Sequence, residues 1–98
     1  MGLIREVVSL APKDGVNLEG ALSSVGHLLA GAPGCYGYRL DRCIENPRKY
    51  LLTVEWVSVE AHTEEFRQSP AWSDFVAVLR DALREPPAPE HYEPVLQA

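Results

Sequence analysis

The chain has almost no sulfur chemistry to offer. Its 98 residues include two cysteines, Cys35 and Cys43, eight apart and without a CxxC. That excludes a disulfide framework and leaves no zinc-type spacing. Both fall in one extended segment on the same parity, too far apart to bridge. They read as small free thiols of a reducing compartment. Basic runs are missing too. Nine Lys and Arg are scattered among fourteen Asp and Glu, for a net charge of −5. Nucleic acid and anionic membranes need clustered cations, so neither partner is expected. No apolar run approaches the roughly 18 residues of a membrane span. In MGLIREVVSL, Arg5 and Glu6 interrupt what a signal peptide would keep apolar, so a cytoplasmic protein is expected. GxSxG, P-loop, GxGxxG and HExxH patterns are absent, as is any Cys/His/Asp set at metal spacing. Hydrolase, kinase, dinucleotide and zinc chemistry are unsupported, and no metal or other cofactor is expected.

What is present is periodicity. This length suits a single domain, residues 1–98. A domain this small buries only part of its surface, and a second copy would add stability. Residues 3–10, LIREVVSL, mix Val and Ile with charges and read as a strand; APKDG follows as a turn. From Asn17 the period changes. Leu18, Ala21, Leu22, Val25, Leu28 and Leu29 form an amphipathic helical stripe, with Asn17 as N-cap and Gly31–Gly34 as the stop. CYGYRLDRCI, 35–44, alternates as a half-buried strand, with Tyr36, Tyr38, Leu40 and Ile44 on one face. ENPRK makes the hairpin, and YLLTVEWV, 50–57, is a central strand with Leu52, Val54 and Trp56 on one face. Ser58 can cap a helix whose stripe is Val59, His62 and Phe66. Ser69 caps again, with Pro70 at the first helical position, and Trp72, Phe75, Val76, Leu79, Ala82 and Leu83 form the next stripe. EPPAPE ends that helix, and HYEPV, 91–95, is a short last strand at an edge. The order β-α-β-β-α-β is that of an α+β, ferredoxin-like fold with a four-stranded antiparallel sheet. Helices cover one face; a second subunit would bury the other.

APGCYGYRL after the first helix, YLLTVEWVSVEAH at the second hairpin, FRQSPAW at the helix restart and EHYEPV at the end resemble the antibiotic biosynthesis monooxygenase superfamily. The resemblance covers nearly the whole chain. It implies a homodimer whose two sheets form an α+β barrel, with a pocket between sheet and helices in each subunit. Some members oxygenate polycyclic aromatic or quinol substrates with molecular oxygen and neither metal nor flavin; others degrade haem or isomerise lactones. The haem-degrading members use a Trp and a His that would fall at Phe66 and near Val76, so that branch does not fit. Many quinol-oxidising members carry a His where this chain has Phe66, and His62, one turn earlier, can take over the role.

Cofactor-free oxygenation needs a phenol or quinol to be deprotonated in a dry slot and its anion stabilised. Histidine suits the proton transfer, and Arg, Trp or Tyr suit the anion. His62 is therefore the candidate base, with Arg67 and His91 as helpers. Phe66, Trp72, Tyr38 and Trp56 are the candidate walls for a small aromatic molecule. Each has a plainer reading: His62 as packing, Trp56 and Trp72 as core, Tyr38 as a sheet-face residue, Arg67 as a solvated cation, His91 as part of a dimer contact. Three functions stay open: a cofactor-independent monooxygenase, a non-catalytic ligand-binding or structural homodimer, and a polyketide isomerase or cyclase using the same pocket.

Overall fold

The computed structural model describes residues 3–98, so the first two residues of the expected 1–98 domain lie outside the described residues. In chain order the elements are β1 (Ile4–Leu10), α1 (Leu18–Ala30), β2 (Cys35–Arg42), β3 (Tyr50–Trp56), a π-helical stretch (Ala61–Phe66), α2 (Pro70–Ala82) and β4 (Glu90–Tyr92). The four strands form one antiparallel sheet in the order β2-β3-β1-β4. This is the ferredoxin-like arrangement that the element order predicts.

Alternation decides which residues face the helices. On β1 the inward set is Glu6, Val8 and Leu10, all buried, paired across to Val54, Leu52 and Tyr50. Asn17 caps α1 as expected, its Oδ1 accepting from the Gly20 N–H at 3.0 Å. Leu18, Leu22, Val25 and Leu29 bury their side chains against the sheet. The core closes with Phe75, Val76, Leu79 and Ala82 of α2. Trp56, at the end of β3, has no exposed surface.

Four expectations change at this level. β2 ends at Arg42, and Ile44 is 89% exposed, because the chain turns into the Asn46 hairpin first. A bulge between Cys35 and Gly37 makes Tyr36 the extra residue, so it leaves the Tyr38 face and stands 66% exposed. The same bulge shifts parity. Cys35 pairs with Trp56 on the inner side, so it no longer shares a face with the odd-numbered residues that follow, and Cys43 lies beyond the strand. Both thiols are free and half-buried. The last strand covers Glu90–Tyr92 rather than 91–95, since Pro94 has no N–H to extend the ladder.

The fourth change concerns the segment after β3, where the expected α-helix is wound as a π-helix. Its diagnostic bond runs from the Arg67 N–H to the His62 carbonyl, five residues back, at 3.2 Å. Ser58 caps the entry, its Oγ accepting from the Ala61 N–H at 3.2 Å. At the exit Ser69 is extended, at ψ 155°, as a residue before proline prefers. Its hydroxyl does not cap α2. It donates instead to the Phe66 carbonyl at 2.7 Å, which also accepts the Ser69 backbone N–H at 2.9 Å. The wider winding turns Ala61, His62 and Phe66 inward together and swings Val59 out to 37% exposure. Gly34 makes this approach possible. At φ +80° it adopts a backbone that side chains avoid, and a Cβ there would lie 2.8 Å from the Ala61 Cβ.

Candidate functional site

Four elements bring three polar rings and one carboxyl into a line. β1 supplies Glu6, whose backbone partners across the sheet are Val54 and, on the edge strand, His91. β3 supplies Trp56, whose Nε1–H donates to Glu6 Oε1 at 2.9 Å. The π-helical stretch supplies His62, stacked on Trp56 with ring centroids 5.2 Å apart. His62 Nε2 lies 3.5 Å from Glu6 Oε2, and His62 Nδ1 lies 2.8 Å from His91 Nε2. One imidazole donates to the other. Among the described residues no buried side-chain nitrogen or oxygen lacks a partner. His62 offers its two nitrogens to different partners, so Glu6, His62 and His91 form a row rather than a cup around one point.

Burial sets the charge state of this row. Glu6 and His62 are 7% and 3% exposed. Burial pushes the Glu6 carboxyl above its ordinary value, against the pull of the Trp56 hydrogen bond and the nearby Arg67 charge. Burial pulls the His62 imidazole down to about 4, and the Arg67 and His91 charges act the same way. At neutral pH the 3.5 Å contact therefore joins a neutral imidazole to a carboxyl that resists ionisation; it is not an ion pair.

Glu6 and His62 both open onto a cavity of about 200 Å³ between the sheet and the helices. Val8, Leu52 and Val54 form its floor; Phe66, Trp72, Phe75 and Leu79 form its aromatic and aliphatic wall. The aromatic wall is self-supporting: Phe66 meets Trp72 and Phe75 edge-on, each with centroids 5.7 Å apart. Exposed Arg67, Arg80 and Pro86 mark the mouth, with Pro87 and Pro89 beside them. A cavity of about 150 Å³ holds benzene, so this one suits a ring system of one or two fused rings.

The residues predicted from sequence divide accordingly. His62, Phe66, Arg67 and Trp72 line the cavity. Trp56 stands behind His62 and His91 beyond it; both touch His62 without lining the cavity. Tyr38 is separate: its hydroxyl packs against Gly26 of α1, where any side chain would collide. Glu6 was missed, although its signal was present, since it shares parity with Val8 and Leu10 and so puts a carboxyl on the apolar side of β1. Arg80 was missed because it directly follows Leu79 and reads as the solvent edge of the stripe.

Comparison with known proteins gives the family and the fold. Residues 17–78 match the family model described as antibiotic biosynthesis monooxygenase. The chain is 34% identical over 95 residues to the Bacillus subtilis (strain 168) protein YczJ, covering 95% of this chain and 100% of that one. A crystal structure of a candidate antibiotic biosynthesis monooxygenase from Bordetella bronchiseptica aligns with a TM-score of 0.90 at 33% identity, covering 98% of this chain and 100% of that one. SnoaB, a cofactor-independent oxygenase from Streptomyces nogalater, aligns with a TM-score of 0.84 at 13% identity, covering 99% and 97%, a likeness of fold alone.

Proposed function

The chain belongs to the antibiotic biosynthesis monooxygenase family, and within it we propose a cofactor-independent monooxygenase acting on a small phenol or quinol. The observation that carries this reading is the buried Glu6–His62 pair facing an apolar cavity of about 200 Å³. Burial raises the proton affinity of the Glu6 carboxyl, which makes it the proton acceptor of the pair, and keeps His62 neutral beside it.

The chemistry balances on these groups alone. Glu6 accepts the hydroxyl proton of the bound ring, with His62 beside it. The anion passes one electron to dioxygen, and the two radicals combine to form a C–O bond at a ring carbon. The resulting peroxide takes back the proton from Glu6. Loss of the ring C–H proton to the same carboxyl then breaks the O–O bond and leaves a carbonyl. The departing hydroxide collects that proton as water. Phenol and dioxygen thus become quinone and water, and the protein ends as it began. Trp56 holds Glu6 in place through its N–H, and His91 holds His62 through the 2.8 Å bond. Phe66, Trp72 and Phe75 keep the anion dry.

Oxygen uptake with a panel of quinols and small phenols tests the reading. Uptake is expected to fall about a hundredfold or more in Glu6→Gln and His62→Ala. Ring turnover without oxygen uptake would move the protein to the isomerase or cyclase reading, which uses the same proton acceptor. Binding without turnover would leave a ligand-binding dimer.

We also propose that the outer sheet face meets a second copy of the chain. Val7, Thr53 and Glu55 are only half-exposed there, while Leu51 and Tyr92 expose 41% and 51% of their surface. Light scattering of the purified chain at twice the monomer mass is the expected result. The two free thiols suit a reducing compartment such as the cytoplasm.

A further inference from the structure

We propose that the ring held in the cavity carries a carboxylate, received at the mouth by Arg67 and Arg80. The substrate class is then a hydroxyaryl carboxylic acid of one or two fused rings, hydroxyl inward and carboxylate outward. This rests on the cavity being the substrate site and names what fills it.

Arg39, Arg42, Arg48 and Arg84 each lie within 4.0 Å of a carboxylate oxygen, on Asp41, Glu19, Asp14 and Asp14 respectively. Among the described residues Arg67, Arg80 and Arg5 have no such partner, although acidic residues outnumber basic ones fourteen to nine; Arg5 lies on the outer sheet face, away from the cavity. Arg67 and Arg80 line the same cavity mouth. Arg67 lies over the Trp72 ring, its Cζ 5.9 Å from the centroid, so the wall of the cavity holds the guanidinium at the opening. Its charge is felt by both Glu6 and His62, so it reaches into the site electrostatically. Arg80 stands in the last turn of α2, where a cation also suits the helix dipole. The dipole accounts for a cation in that turn. It does not account for its lining the same cavity as a second unpaired arginine.

The only carboxyl in the lining is Glu6, deep on the floor. The mouth is therefore locally positive on a chain of net charge −5. An anionic ring meets an unfavourable overall field and a favourable local one, and the local one wins at contact range because salt screens the distant charges. Guanidinium is matched to carboxylate by its fork of N–H donors. A carboxylate at the mouth also fixes polarity: the opposite end of the ring points at Glu6 and His62.

The test is binding to the whole protein, read by quenching of tryptophan fluorescence, with naphthol and with a hydroxynaphthoate bearing hydroxyl and carboxylate at opposite ends. The carboxylate is expected to tighten binding about tenfold or more, as hydrogen bonds to charged groups do. That advantage is expected to shrink with added salt and to disappear in the Arg67→Gln, Arg80→Gln double variant. It is expected to survive in Arg80→Lys and in Arg5→Gln, an arginine on the outer face. Equal affinity for the two ligands overturns the proposal. So does an advantage that persists in the double variant with its fold intact by circular dichroism, or no binding of either ligand at millimolar concentration. Oxygen uptake is a separate readout. A carboxylate preference without uptake would sink the oxygenase reading alone, and uptake on naphthol without a preference would sink this proposal alone.

Discussion

Replacing His62 by glutamine tests the charge state on which the site depends. The folded imidazole protonates near 4, against an ordinary 6.5. As pH falls below about 6.5 the unfolded chain takes up a proton that the folded chain refuses, so folding stability falls through the window from 6.5 down to about 4. At about 1.4 kcal/mol for each pH unit, that window amounts to roughly 3 kcal/mol. Glu6 works in the opposite sense. Its raised folded pKa means its contribution is complete below about 4.5 and is lost as pH rises through the raised value. The wild-type curve is the sum of the two, and His62→Gln removes the first. Glutamine keeps a polar group at the position and changes stability by an offset that does not depend on pH. Urea unfolding at several pH values between about 7.5 and 4 is the assay, with the m-value as a check on two-state behaviour. Wild type is expected to lose roughly 3 kcal/mol more than the variant across that range. Parallel curves would refute the reasoning, since they would mean an imidazole that titrates as it does in water. A His62 ring resonance titrating near 6.5 by NMR would refute it independently.

Trp56→Phe keeps the ring against His62 and deletes the 2.9 Å hydrogen bond to Glu6. Stability is expected to fall by about 1–3 kcal/mol. The carboxyl then rises further, and the acidic limb of the pH profile of kcat/KM moves to higher pH. Gly34→Ala is expected to cost about 1–3 kcal/mol for its φ of +80°, with added displacement of the π-helical stretch from the 2.8 Å approach to Ala61; thermal unfolding reads the first and loss of ligand binding the second. Phe66→Ala removes a 1% exposed ring from the core and is expected to cost about 3–5 kcal/mol in urea unfolding. It also opens the cavity wall, so larger ring systems are expected to bind the variant better than wild type does.

Most of the fold was legible because helix and strand periods separate cleanly along this chain. Asn17, Pro70 and the Asn46 hairpin mark boundaries by chemistry that acts within a few residues. The bulge at Tyr36 was not legible. Its neighbours alternate without a break, and only the pairing of Cys35 with Trp56 reveals the extra residue. The π winding was equally hidden, since Val59, His62 and Phe66 fit an α stripe as well as three residues can. What decides between the windings is tertiary: Gly34 lets Ala61 approach, and Trp56 offers His62 a stacking surface. Of the site, the imidazole could be found by type, but its partner Glu6 lies 56 positions away in another element. One feature in β1 pointed to it, a carboxylate on the apolar parity.

That parity gives the site its meaning. A 98-residue domain has a small core, and this one places a carboxyl and an imidazole inside it, 7% and 3% exposed. Burial works against the charged form of each group, as their opposite pKa shifts record. An apolar pair of similar volume would avoid that cost, while leaving the buried Trp56 N–H without its acceptor. The hydrogen bonds from Trp56 and to His91 offset the desolvation without removing it. A sheet of this kind needs no polar group at Glu6 to hold β1 between β3 and β4, because the backbone ladder does that. The pair is therefore best understood through the cavity it faces. There, a carboxyl whose proton affinity burial raises is the proton acceptor and a neutral imidazole is its partner, next to a space the size of one or two fused rings.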